Sequence, residues 1–99
     1  DADATAEGTM RHTGSVQAAP AKGFRATGGD HAACLSGPEG TDFDVSLQKK
    51  TQSGWKTVAR ADGDTSTETL TFSGRAGTFR YVVNSVQGKG DYTLAIVAP

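Results

Sequence analysis

Cysteine is almost missing from this sequence, Cys34 being the only one among 99 residues. No disulfide can close within the chain, and no zinc cage of thiolates can be assembled from it. Cys34 is accordingly expected as a small buried hydrophobe. Histidine is limited to His12 and His31, and no Gly-x-Ser-x-Gly elbow occurs, so a Ser-His-Asp triad has no frame. Both histidines are expected at the surface, and a zinc site from the two plus a carboxylate is the weaker use for them. An excess of either charge is lacking too. Ten Lys and Arg face eleven Asp and Glu, a net charge of -1, which gives no field to draw nucleic acid or an anionic membrane. No apolar run approaches the roughly 18 residues of a membrane span. The N-terminal "DADATAEGTM" has neither the basic nor the apolar region of a signal peptide, as expected of a mature exported form or an excised domain.

What is abundant is glycine, at 13 positions, together with Ala, Thr and Ser. Glycine costs about 1 kcal/mol relative to alanine within a helix and threonine is stiff at χ1, so such a chain favours short strands and turns. One domain fits this length, burying only about 60–70% of the surface of its unfolded chain. Residues 1–9 carry no periodicity and read as a linker or loosely docked tail, with the folded unit at 10–99. Turn signals then recur at roughly 8–12-residue intervals, the pattern of an all-β sandwich or barrel.

The segments differ in clarity. "RHTGSVQA", ending at Pro20, and "AKGFRATG" read as two short strands. "DHAACLSG" sets Ala32, Cys34 and Ser36 on one face and Ala33 and Leu35 on the other. In "GPEGTDFDVSLQKK", Phe43, Val45 and Leu47 alternate with Asp42, Asp44, Ser46 and Gln48, giving a half-buried antiparallel strand. A hairpin at Ser53-Gly54 leads to Trp55. "TETLTFSG" aligns Glu68, Leu70 and Phe72, "TFRYVVNSV" aligns Phe79, Tyr81 and Val83, and "YTLAIVAP" aligns Tyr92, Leu94 and Ile96. Seven or eight strands result, enough for two packed sheets. Their apolar faces, with Phe24 and Val58, define the expected core. That core claims six of the seven aromatics, leaving Trp55 as a lid on it or as an exposed platform; the cost of wetting its area favours the lid.

Taken in order, "GPEGTDFDVSLQKK", "GWKTVA" and "TETLTFSGRAGTFRYVVNSVQGKGDYTL" resemble the pre-peptidase C-terminal domains, in the version appended to secreted proteases and other hydrolases of actinobacteria. The resemblance covers about Gly28 to Ala98 and departs from that version at Val82 and Val86, where polar or aromatic groups are usual. It implies a jelly-roll β-sandwich that is not itself catalytic, and that is secreted with its parent enzyme. Such a module aids secretion or holds the enzyme against insoluble protein or polysaccharide. Relatives in collagenases take up calcium through acidic residues of an N-terminal linker and a nearby loop. The acids offered here are Asp1, Asp3, Glu7, Asp30, Glu39 and Asp42.

The residues themselves allow the same uses. Asp42 and Asp44 lie roughly 6–7 Å apart along the backbone, a spacing that glycosidase chemistry accepts. A general acid, however, needs burial to raise its pKa, and these acids are expected on the wet face of their strand. No catalytic residue is therefore assigned. Asp42, at the loop edge beside Glu39, is the member of the pair expected to reach a cation, and Asp44 is expected not to. Trp55, with Lys56 and Arg80 beside it, is the expected ligand surface. The expectation is a monomeric, non-enzymatic module. Its partner is either an insoluble polymer or, as a propeptide-like chaperone or inhibitor, the parent catalytic domain.

Overall fold

The computed structural model describes the backbone of residues 2–99 and the side chains from Ala4 onward. Eight strands follow in order: β1 (Ala2–Met10), β2 (Val16–Ala26), β3 (Gly29–Ser36), β4 (Asp42–Thr51), β5 (Gly54–Ala61), β6 (Thr67–Gly74), β7 (Gly77–Gln87) and β8 (Gly90–Ala98). One sheet has the order β1-β8-β3-β6 and the other β2-β7-β4-β5. All strand pairs are antiparallel. The chain changes sheet at every connection except the β4–β5 hairpin, which is the jelly-roll path that the resemblance implied.

Alternation explains the core. Phe43, Val45 and Leu47 on β4, Phe79, Tyr81 and Val83 on β7, and Leu94 on β8 are fully buried between the sheets. Each such side chain contributes about 1.5–3 kcal/mol relative to exposure. Phe24, Val58 and Phe72 pack at its margin, and the expected core residues all belong to it. Leu35, Met10, Ala19, Ala26 and Ala33 join them.

Four expectations require correction. Residues 2–9 are no linker: β1 pairs with β8 from Ala2–Ala98 to Met10–Gly90. Its inward side is carried by Ala6 and Met10, and side chains that small leave little hydrophobic periodicity to read. Second, "RHTGSVQA" and "AKGFRATG" contribute to one strand. The β2–β7 register shifts between Ala19 and Phe24, so Pro20 sits in a bulge on an edge strand, where its missing N–H costs no ladder bond. Gly23 closes that bulge at φ +75, and a Cβ there would meet the Phe79 carbonyl oxygen at 2.7 Å, so only glycine fits. Third, Cys34 is exposed on the outer face of β3. Fourth, His31 is buried, at 1% exposure. It lies among Phe79, Phe72 and Phe24 at ring-centroid distances of 4.5, 5.9 and 6.3 Å.

Candidate functional site

The outward side chains of β4 and its neighbours build one continuous surface. Because Phe43, Val45 and Leu47 point into the core, Asp44, Ser46 and Gln48 must point out of the β2-β7-β4-β5 sheet. There they line a groove of about 380 Å³ together with Thr57 and Arg60 of β5 and Val82 and Asn84 of β7. At one end, Gln48 Oε1 accepts a hydrogen bond from Arg80 Nε at 2.8 Å. The Arg80 guanidinium in turn lies 4.5 Å from the centre of the Trp55 ring. The far edge of that ring reaches β2, within 3.2 Å of where a Cβ on Gly23 would be. Trp55 is thus half-exposed and spread over the outer face, not a lid on the core, because the hairpin register pairs it with Lys50 and sets it on the side of Thr57 and Gln48. Lys56, opposite Lys49, falls on the other side of the hairpin.

At the other end of β4 the acids converge. The β4–β5 ladder stops at the pair Val45–Ala61. Beyond it the chain crosses to the other sheet, and Glu68 at the start of β6 meets β4 from below. Asp42, Asp44 and Glu68 each place a carboxylate oxygen within 4.8 Å of the other two. Glu68 is only 7% exposed. Its Oε1 accepts the Gly63 N–H at 3.1 Å, while its Oε2 has no partner, nor do Asp42 Oδ1 and Asp44 Oδ1. Asp62, in the crossover, adds a further charge at the groove end.

Burial first, then the neighbouring Asp42, Glu68 and Asp62, push the Asp44 carboxyl up to about 6. The ordinary value is 3.8, so between those two pH values the folded chain binds more protons than the unfolded one. Stability therefore falls as pH rises from about 4 to about 6. The full shift corresponds to about 3 kcal/mol, which partial exposure reduces to on the order of 1 kcal/mol. Asp44→Asn should accordingly melt higher than the wild type at pH 7 in metal-free buffer and lose that advantage at pH 4. An advantage independent of pH would refute this account.

The expected cation ligands divide. Asp42 is in the cluster. Asp30 accepts a hydrogen bond from Ser73 Oγ on the β3–β6 pair, Glu7 is an exposed residue of β1 opposite Thr93, and Glu39 is exposed in the β3–β4 loop. Among the described residues, none of these three joins Asp42 in a group able to hold a metal. Of Asp3 only the backbone is described, and Asp1 lies outside the described residues. Asp44, set aside as a wet-face residue, belongs to the cluster. Glu68 was legible as an anomaly, the one acid in the apolar column Glu68, Leu70, Phe72. Its meeting with β4 required knowledge of which sheet each strand joins.

No protein-family model matches the chain. Solved structures share its fold. The pre-peptidase C-terminal domain of collagenase from Bacillus anthracis superposes with a TM-score of 0.71 at 17% identity, over 96% of this chain and 89% of that one. The Yersinia pseudotuberculosis-derived mitogen gives 0.70 at 21% identity, over 99% and 86%. PliG, a periplasmic inhibitor of g-type lysozyme from Aeromonas hydrophila, gives 0.64 at 11% identity, over 98% and 86%. At these identities the likeness concerns the fold, and in its fold this chain is similar to the pre-peptidase C-terminal domain.

Proposed function

We propose that this domain is a non-catalytic accessory module of a secreted bacterial hydrolase, a protease, and that it holds the enzyme against insoluble protein or polysaccharide. The observation that carries the reading is the outer face of the β2-β7-β4-β5 sheet, where Trp55 lies open over Arg80 at the head of a polar groove. From Gln48 to Asp42 that face spans seven residues of β4, six rises of about 3.3 Å or roughly 20 Å, enough for several units of an extended polymer. An aromatic ring backed by a guanidinium offers a flat, amphipathic contact, and the flanking Ser46, Thr57 and Asn84 supply hydrogen bonds without a deep cavity. The fold shared with a collagenase domain supports the same assignment.

The test is depletion from solution by insoluble collagen, keratin, chitin and cellulose. At least one polymer should retain the wild type, and Trp55→Ala should weaken retention about tenfold, or about 1.4 kcal/mol. If no polymer depletes the protein, or Trp55→Ala binds like the wild type, targeting through this face is wrong. A second reading, contact with a folded protein such as the parent catalytic domain, is favoured by the exposure of Val16 (67%) and Val86 (49%). The fold shared with the lysozyme inhibitor points the same way. Binding to the isolated catalytic domain, weakened by Val16→Asp and indifferent to Trp55→Ala, would favour it over polymer targeting.

A further inference from the structure

Glu68 presents a problem that the sandwich alone does not solve. A carboxylate buried between sheets is costly unless it is paired or coordinated. Here one oxygen has a backbone donor and the other has none. The nearest groups able to meet it are two more carboxylates, Asp42 and Asp44, each also with an orphaned oxygen. Repulsion among such oxygens at under 5 Å works against folding unless a cation intervenes. We propose that Asp42, Asp44 and Glu68 form a calcium site at the junction of β4 and β6, with Asp62 at its outer edge.

The donor chemistry selects the ion. Three carboxylates are hard ligands that suit calcium, magnesium or manganese and not copper or zinc. Opposite oxygens on calcium stand about 4.6–5.2 Å apart, and on magnesium only about 4.0–4.2 Å. Three oxygens within 4.8 Å of one another can be reached by a single ion, and a site built wholly from protein oxygens is one that calcium accepts and magnesium, which keeps its waters, seldom does. The crossover packs directly on Glu68: a Cβ at Gly63 would stand 3.1 Å from both carboxylate oxygens, so the absence of a side chain there lets the loop backbone lie against the cluster. A bound ion would also fasten the crossover loop to β4, tying the two sheets together where the β4–β5 ladder ends.

The site does not depend on polymer targeting, since it is read from melting and binding heats of the domain alone. Going from chelator to about 5 mM calcium should raise the melting temperature by at least about 5 °C, and calorimetry should show one site. The same concentration of magnesium should give a smaller rise. Glu68→Gln and Asp44→Asn should each abolish the calcium response while melting at or above the wild type in chelator, because each removes a repelling charge. Glu39→Gln should keep the response. The site is refuted if calcium neither shifts the wild-type melt nor gives heat, or if the response survives in both variants. Should Glu68→Gln fail to fold, Asp44→Asn, on the half-exposed side of the cluster, decides the matter.

Discussion

Phe79→Ala should remove about 3–5 kcal/mol of folding stability, a large share of the 5–15 kcal/mol typical of a whole domain. The reason is placement. β7 is an inner strand, flanked by β2 and β4, and Phe79 on it is fully buried. Its ring stands 4.5 Å from His31, 6.1 Å from Phe24 and 6.4 Å from Phe72, with the Lys49 ammonium 5.6 Å from its centre. These partners come from β2, β3, β4 and β6, so truncation would open a cavity bounded by both sheets that no single strand can move to fill. Urea unfolding should show the loss as a lower midpoint with an unchanged slope. A loss under about 1 kcal/mol would mean that the ring is not the keystone its contacts imply.

The second large effect runs the other way: His31→Phe should stabilise the domain by about 1–3 kcal/mol at pH 7. Both ring nitrogens of His31 are buried without a partner, and desolvation holds its pKa below the usual 6.5, only partly countered by Asp30. The imidazole is therefore neutral in the folded chain while the unfolded chain protonates near pH 6.5. Below that value the unfolded state binds more protons, so this residue costs stability progressively as pH falls. The advantage of His31→Phe over the wild type should widen from pH 7 to pH 5. Asp44 titrates alike in both proteins and cancels in the difference. An advantage that shrinks toward pH 5 would show that the imidazole finds a partner when charged.

Much of this is legible in the sequence. Period-two alternation in β4, β6, β7 and β8 identified the strands and the core, because the pleat forces successive side chains to opposite faces. Where side chains are small the signal fades, which is why β1, with Ala6 and Met10 as its inward contribution, read as a tail. The bulge at Pro20 made one strand read as two. His31 looked like a surface group because nothing local marks a histidine as caged by aromatics from three other strands.

The sequence by itself determined that this is an all-β chain, which residues of β4, β6, β7 and β8 face inward, and that no disulfide forms within it. The tertiary structure decided which sheet each strand joins. A turn of five residues reads the same whether it closes a hairpin or crosses between sheets, and only the crossing brings Glu68 to Asp42 and Asp44, while the order β7-β4-β5 within one sheet sets Trp55 over Arg80. Alternation is a property of neighbours along one strand, whereas a site is made by residues far apart in the chain whose strands happen to pack together.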